Sequence, residues 1–163
     1  MTGVQTCALP IYLRGPGTDG ARLFACAEAL RDVARAVGAL RIANDRVDLA
    51  LAARLDGVQL GERSLPAGVA RRLLPPGVLV GVSVHDVARA RAEGPDADYL
   101  VVGTVFATPS HPGRVGVGPA GIAALRAASA LPLVAIGGIT PERVPQVVGA
   151  GAQDRKSTRL NSS

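Results

Sequence analysis

The sequence predicts an α/β protein of the (β/α)8 TIM-barrel class, and two observations favour this fold. Short apolar segments alternate with longer Ala-, Leu- and Arg-rich segments of helical periodicity, which is typical of repeated βα units. Polar or glycine residues follow nearly every apolar segment, at Arg14, Asn44, Gly61, Ser83, Thr104 and Gly137. In a barrel these positions converge on the carboxyl-terminal rim, where such enzymes place their sites. No glycine-rich dinucleotide fingerprint follows a first strand, and we therefore favour the barrel over an open doubly wound sheet.

The apolar segments predict six strands, at Ile11–Arg14, Leu40–Ala43, Gly57–Leu60, Val78–Val82, Tyr99–Val102 and Leu133–Ile136. The intervening periodicity predicts helices at Ala21–Val37, Arg46–Arg54, after Pro66, at Asp86–Glu93, at Pro119–Ala128 and from Pro141 onward. Because the strands are almost continuously apolar, we expect them to be parallel and covered on both faces.

Composition excludes several classes of protein. The chain has 163 residues and a net charge of +5, but its arginines are scattered singly and aromatic residues make up only 2%, which disfavours a nucleic-acid partner. Two cysteines do not form a disulfide framework, and the sequence has no apolar run long enough to span a membrane. The first residues lack the features of a signal peptide, so we predict a cytoplasmic protein.

Both ends of the chain differ in composition from the rest. Lys156 is the only lysine, and the segments TGVQTCALPI and DRKSTRLNSS resemble the translation of a sequencing-adapter oligonucleotide and of its reverse complement. We therefore expect residues 1–11 and 154–163 to be assembly artefacts flanking a partial barrel at 12–153; an ordinary disordered tail is the alternative. Without the second segment, which carries +2, the net charge falls to +3.

A glycine pair follows the apolar strand LVAI. Gly137 and Gly138 are followed by Ile139-Thr140 and then by Pro141, so that backbone N–H groups lie at a predicted helix start without side chains in front of them. Such loops bind phosphate in many barrels. The alternative is a turn needed only for packing.

The long segment after Gly103 is a second candidate site. It contains Thr108, Ser110 and His111; the two hydroxyls could donate to phosphate oxygens, and His111 could supply a charge or a proton. A solvated surface loop is the alternative.

Asn44 and Asp45 stand between a predicted strand and a predicted helix. They either cap that helix or lie at the barrel rim, where Asp45 could bind Mg²⁺ together with a diphosphate. His85, in VGVSVH, is the other candidate catalytic residue besides His111, although it could simply pack or cap near the next helix.

Four ordered blocks resemble the thiamine phosphate synthase and thiazole tautomerase family: NDRVDLALAARLDGVQLG, VGVSVH, ADYLVVGTVFATPSHPG and LPLVAIGGITPERVPQVVGAGA. The resemblance implies that approximately strands two to seven of the barrel are present. It implies a transferase that joins hydroxymethylpyrimidine diphosphate to thiazole phosphate and releases pyrophosphate, with Mg²⁺ as cofactor. It also implies a homo-oligomer. A barrel without its first and last strands would expose edges, and we expect the chain as written to be poorly soluble and inactive.

The resemblance also implies site roles. Arg14 and Asn44 would contact the pyrimidine diphosphate, Asp45 would ligate Mg²⁺, and Ser83 would lie near the pyrimidine. The thiazole phosphate would be bound by Thr108, Ser110 and the backbone of Gly138.

Several positions depart from the family pattern. Ser64 replaces a second acidic metal ligand, His111 replaces a lysine, and Gly15-Pro16 replaces an acid and a lysine. The tautomerases use a histidine at the position of Thr104. A tautomerase and a non-catalytic phosphate-binding barrel therefore remain alternatives to the synthase.

Overall fold

The protein is described by a computed structural model over residues 10–108 and 115–152, with the backbone of residues 154–155. One parallel sheet runs through this part of the chain in sequential strand order. Its strands are β1 (Pro10–Leu13), β2 (Leu40–Asn44), β3 (Gly57–Leu60), β4 (Leu79–Val84), β5 (Tyr99–Val102), β6 (Leu133–Ala135) and β7 (Asp154–Arg155). The helices are α1 (Gly20–Ala29), α2 (Arg31–Ala36), α3 (Val47–Ala52), α4 (Ala67–Leu73), α5 (Val87–Glu93), α6 (Gly118–Ala128) and α7 (Val144–Gly149). Sequential order with helical crossovers is the topology of a barrel wall, which confirms the predicted fold class.

The strands follow the prediction closely, because β3 and β5 have the expected bounds and the other four differ by a few residues. The short strand β7 lies beyond them in sequence and pairs with β6. It belongs to the segment 154–163, which is predicted to be an artefact. Pro10 and Ile11 of β1 belong to the other such segment, 1–11, and the origin of both segments stays a prediction.

The single helix predicted at Ala21–Val37 is wrong, since α1 ends before Leu30 and α2 begins at Arg31. The guanidinium of Arg41 donates to the carbonyl oxygen of Ala27 at 3.2 Å, which is the acceptor that a continuous helix would offer to the N–H of Arg31. A side chain that enters the ladder of helical hydrogen bonds is a recognised cause of such breaks. The helix expected from Pro141 begins as a 3₁₀ turn at Pro141–Arg143 and continues as α7.

Alternate residues of each strand face opposite sides of the sheet. The helix-covered side is an apolar core that includes Val58, Leu60, Val80, Val82 and Leu100. Alanines that are almost fully buried, such as Ala27, Ala53, Ala67 and Ala70, let the helices approach this side closely. No helix in the described ranges is long and apolar enough to cross a membrane.

The opposite, concave side of the sheet carries a polar layer. Pairing aligns Asn44 with Gln59, Gln59 with Gly81, and Gly81 with Tyr99, so these residues share one level and one side. The fold thereby places polar side chains inside the barrel wall, just below the carboxyl ends of the strands.

Candidate active site at the carboxyl ends of the strands

Asp45 is the centre of the first cluster at this rim. Its backbone has the left-handed φ of 63°, and its N–H donates to the carbonyl oxygen of Gln59 at 2.9 Å. Its Oδ1 accepts a hydrogen bond from the Gly61 N–H at 2.8 Å and another from the Ser64 hydroxyl. The amide of Asn44 donates to Oδ2. The rim thus brings together the predicted metal ligand, the serine at the second ligand position and the predicted diphosphate contact.

This geometry rules out one of the two interpretations of Asn44 and Asp45. The N-cap of α3 is Arg46, and no side-chain hydrogen bond caps this helix. The carboxylate of Asp45 turns instead towards the loop after β3. The capping interpretation is therefore wrong, and Asp45 lies at the rim; its role as a Mg²⁺ ligand stays a prediction.

Gln59 and Tyr99 belong to the polar layer beneath this cluster, and Ser83 lies two residues beyond Gly81 on the same side of β4. The Gln59 amide donates to the Ser83 hydroxyl at 3.0 Å, and its oxygen is buried without a hydrogen-bond partner among the described residues. Burial, followed by the neighbouring Tyr12, raises the pKa of Tyr99 well above its usual value. A Cβ on Gly81 would lie 2.2 Å from the Tyr99 ring and 2.4 Å from the Gln59 amide oxygen, so only glycine permits this layer.

Arg89 holds the ends of β3 and β4 in place. It lies on α5, and its guanidinium donates to the carbonyl oxygens of Ser83 and Gly61, each at 2.9 Å. The carboxylate of Asp86 caps the same helix by accepting from the Arg89 N–H at 2.8 Å. One cation therefore fixes two of the rim loops relative to each other.

His85 lies at a cavity of about 270 Å³ in the same rim. The residues lining this cavity are Glu62, His85, Gly103, Thr104, Val115 and Val117. The Nδ1 atom of His85 is hydrogen-bonded to the carbonyl oxygen of Gly103; since a carbonyl only accepts, Nδ1 carries a proton. The Nε2 atom is 3.9 Å from the Glu62 carboxylate. Asp86, and not His85, caps α5, so the capping alternative for His85 is wrong.

The pair Gly137–Gly138, here called the glycine loop, forms the third part of the rim. Both glycines have left-handed φ values, 94° and 65°. The carbonyl oxygen of Gly137 accepts from the Phe106 N–H at 3.0 Å. The carbonyl oxygen of Gly138 accepts from Arg143 at 2.8 Å, while the guanidinium of Arg143 stacks 4.5 Å from the centre of the Phe106 ring. These contacts fix the backbone of the glycine loop against the loop after β5.

Thr140 and Glu142 follow the glycine loop at the surface. A hydrogen bond from Thr140 lowers the pKa of the Glu142 carboxyl. This carboxylate and the adjacent Arg143 are the charged side chains of the turn that leads into α7.

The remaining predicted residues are less closely assembled. Arg14 is exposed just after β1, at the same end of the sheet, and Thr108 is half-buried after β5. Ser110 and His111 lie outside the described residues. Within the described ranges, no group of three or more His, Cys, Asp or Glu side chains could hold a metal ion by itself.

Sequence reasoning missed Gln59, Tyr99, Arg89 and Arg143. Gln59 and Tyr99 could have been found, since each is a polar residue inside an otherwise apolar strand, at a position that faces the same side as Asn44 or Ser83. Arg89 bonds to the carbonyl oxygen of Gly61, which is distant in sequence. Arg143 bonds to that of Gly138, five residues before it, across a turn, and no residue pattern in the sequence indicates either contact.

A wall of parallel βα units with polar side chains and a glycine loop at its carboxyl rim is the architecture of an α/β-barrel enzyme. The family model described as thiamine monophosphate synthase matches residues 5–155. The chain is 49% identical over 146 residues to the thiamine-phosphate synthase of Methanoculleus marisnigri, covering 87% of this chain and 68% of that protein. It is 45% identical over 148 residues to that of Moorella thermoacetica, covering 89% and 70%.

A solved structure agrees with these relatives. The thiamine phosphate pyrophosphorylase of Pyrococcus furiosus superposes with a TM-score of 0.77 at 34% identity, over 91% of this chain and 70% of that one. The chain belongs to the thiamine monophosphate synthase family.

Proposed function

We infer that this protein is a transferase of the thiamine phosphate synthase type, the activity named for its relatives. The expectation that the chain as written is poorly soluble and inactive stays a prediction, which the assay below also tests. In this reaction the ring nitrogen of a thiazole phosphate forms a bond to the methylene carbon of hydroxymethylpyrimidine diphosphate, the carbon–oxygen bond breaks, and pyrophosphate leaves. The observation that carries the proposal is the convergence at one rim of the Asp45 cluster and the glycine loop, two sites suited to two phosphorylated substrates.

The two sites have different chemistry. The glycine loop has no side chains to obstruct an approaching anion, and it is held rigidly by Arg143 and Phe106; we assign it to the thiazole phosphate. Asn44 and the exposed Arg14 lie on the side of β1 and β2, where they contact the diphosphate. Between these sites, the pyrimidine packs beside Ser83, whose hydroxyl accepts a hydrogen bond from the buried Gln59 amide.

The residues present at the rim fit Mg²⁺ shared with a diphosphate. Asp45 and Ser64 offer adjacent hard oxygen ligands, and Mg²⁺ in such sites takes one or two carboxylates plus substrate phosphate oxygens. Asp45 and Ser64 would hold the ion there, and it would supply positive charge to balance that of the departing pyrophosphate. The second carboxylate of the family pattern is absent, so we expect weaker metal binding than two carboxylates would give.

Thiazole tautomerase activity is the second candidate, because the rim cavity contains His85 and Thr104 together. The tautomerases move a proton on a thiazole carboxylate phosphate and need no diphosphate. His85 and Glu62 both line this cavity, with the Nε2 atom of His85 3.9 Å from the Glu62 carboxylate. His85 would be the residue that moves the proton there.

The test is thiamine phosphate formation from the two synthase substrates, measured with and without Mg²⁺. Metal-dependent product supports the synthase, and its loss in Asp45→Asn supports the assigned metal ligand. Arg72→Gln, a change on the exposed side of α4, is the matched control and should leave the rate unchanged. Absence of product, with isomerisation of thiazole carboxylate phosphate that His85→Gln abolishes, would replace the synthase by the tautomerase. Binding of thiazole phosphate without either reaction would identify a non-catalytic barrel.

A further inference from the structure

A second cavity, of about 560 Å³, lies at the opposite end of the sheet from the rim. It is formed by α2, the start of β2, the end of α3 and the residues just before β3. The charged residues that line it are Arg31, Arg35, Arg41, Arg54 and Asp56, and the others are Ala34, Ala39 and Ala52. We call it the basal arginine cavity. The fold thus assembles four arginines that are separated along the sequence.

Two of these arginines have their charge compensated within the protein. The buried guanidinium of Arg41 donates to the carbonyl oxygens of Ala27 at 3.2 Å and Arg54 at 2.9 Å, and its Nε atom is 3.9 Å from the Asp56 carboxylate. Arg31 forms an ion pair with Glu28.

Arg35 and Arg54 differ from this pair. Both are exposed, and neither side chain has a hydrogen bond or an ion pair with any residue of the described chain. The basal arginine cavity therefore carries two positive charges that the described residues do not balance. An anion from solution is the group that would balance them.

The backbone at Arg54 gives an independent indication. Helices α2 and α3 end in the same way. After α2, the N–H of Gly38 bonds to the carbonyl of Arg35 and that of Ala39 to the carbonyl of Ala34. After α3, the N–H of Arg54 bonds to the carbonyl of Leu51 and that of Leu55 to the carbonyl of Ala50. This is the Schellman ending, whose left-handed position usually holds glycine.

The left-handed position of α2 is Gly38 with φ 65°, whereas that of α3 is Arg54 with φ 48°. An L-residue with a Cβ is strained there, and a residue kept in such a conformation motivates a functional hypothesis. In this structure the strained residue is one of the two uncompensated cations, and its carbonyl oxygen is fixed by Arg41.

We propose that the basal arginine cavity binds a small anion bearing a phosphate or diphosphate group, at a site separate from the rim. Planar guanidinium groups match phosphate oxygens in pairs, and the cavity is large enough for a diphosphate with an organic substituent. The arginines face one concavity, and its other lining residues are three alanines and Asp56, whose carboxylate is 3.9 Å from Nε of Arg41. Among the described residues, no aromatic side chain lines it on which bases could stack. A small phosphorylated molecule suits this site better than a nucleic-acid strand does.

The test is calorimetric titration of the protein with inorganic pyrophosphate, and separately with inorganic phosphate. The buffer contains about 150 mM NaCl and no Mg²⁺; at this ionic strength, interactions between exposed charges are screened beyond roughly 8 Å. We expect saturable binding that Arg35→Gln with Arg54→Gln weakens at least tenfold. The paired control, Arg72→Gln with Arg91→Gln, removes the same charge from exposed positions on α4 and α5 and should bind as the unchanged protein does.

This titration separates the cavity from the rim. If the rim also binds pyrophosphate, the unchanged protein shows two sites and the Arg35/Arg54 variant retains one. If the proposed synthase activity fails and the rim binds nothing, the unchanged protein shows one site and the variant none. Synthase activity without added pyrophosphate should be the same in both proteins.

Arg54→Gly provides a second, independent measurement. It removes the charge and places glycine at the left-handed position, so the unfolding midpoint in buffer should not fall, while the cavity's contribution to stabilisation by pyrophosphate disappears. Equal pyrophosphate binding in the unchanged protein and in both cavity variants would overturn the proposal. So would equal weakening by the control pair, or tighter cavity-dependent binding of a single-stranded oligonucleotide than of pyrophosphate.

Discussion

Gly138→Ala tests the structure of the glycine loop most directly. An added Cβ would lie 2.7 Å from the carbonyl oxygen of Phe106 and 2.8 Å from that of Ala107, and both are backbone atoms that cannot move away alone. The substitution would also place a Cβ on a residue with φ 65°. Gly38 has the same φ and no atom within 4 Å of its virtual Cβ, so Gly38→Ala has the backbone strain without the steric clash.

The magnitude follows from these two contributions. A left-handed L-residue costs about 1–2 kcal/mol, reduced by about 0.4–1 kcal/mol because alanine restricts the unfolded chain. We therefore expect Gly38→Ala to lower the free energy of unfolding by about 1 kcal/mol. The clash at Gly138 adds the cost of overpacking, about 1–3 kcal/mol, which brings Gly138→Ala to about 3 kcal/mol.

Urea unfolding of both variants measures this difference, and the KM for thiazole phosphate reports the effect on binding. Gly138→Ala should raise that KM at least about tenfold, the equivalent of 1.4 kcal/mol, while Gly38→Ala, at the other end of the sheet, leaves it unchanged. Equal destabilisation by the two substitutions would refute the clash. An unchanged KM in a folded Gly138→Ala protein would refute the assignment of the glycine loop to the phosphate.

Three further predictions concern the same rim and the layer below it. Arg143→Gln should raise the KM for thiazole phosphate about tenfold, because a charged hydrogen bond of about 1.5–3 kcal/mol fixes the glycine loop. The exposed Arg72→Gln is the control. Equal KM values for the Arg143→Gln variant and the unchanged protein would argue against this positioning. The pKa of Tyr99 is higher in the folded protein than in the unfolded chain, where a tyrosine has a pKa near 10. Above pH 10 the unfolded chain therefore loses this proton while the folded protein keeps it, so the free energy of unfolding falls as the pH rises. Tyr99→Phe should therefore reduce the fall of unfolding free energy above pH 10 by up to about 1.4 kcal/mol per pH unit, and parallel pH profiles of the two proteins would contradict it. Ser64→Asp should place a second carboxylate beside Asp45. Without metal, repulsion between the two carboxylates should lower the stability of the protein. With metal, the Mg²⁺ concentration for half-maximal rate should fall at least about fivefold, because such sites use one or two carboxylates. An unchanged Mg²⁺ requirement would show that the metal does not bind between these residues.

The strands could be predicted because each is a short apolar run bounded by turn residues. Gly57–Leu60 and Tyr99–Val102 have the predicted bounds, since the buried β segments have no competing helical periodicity. The break at Leu30 could not be predicted, because the local sequence is a good amphipathic helix. It arises where Arg41, on a strand that follows in sequence, donates to a carbonyl of the helix.

The rim residues could be predicted to the extent that they end strands. Asn44, Ser83 and Gly137 were found this way, and the parallel topology brings them to one end of the sheet. The hydrogen bonds of Asp45 to the loop after β3 could not be predicted, because its left-handed backbone turns the carboxylate away from the helix that it precedes. Local sequence favours the cap, and tertiary contacts favour the rim.

The departures from the family pattern affect the two substrate sites unequally. In the proposed site the glycine loop would bind through backbone N–H groups, whose position depends on the φ angles of the two glycines and on Arg143. The proposed diphosphate site would depend on side-chain charges, and Ser64 and Gly15-Pro16 stand where the family resemblance implies some of them. Backbone recognition tolerates sequence change around it, whereas recognition by charge is lost with each side chain. It follows that the KM for the pyrimidine diphosphate should be more sensitive to Mg²⁺ and to salt than the KM for the thiazole phosphate.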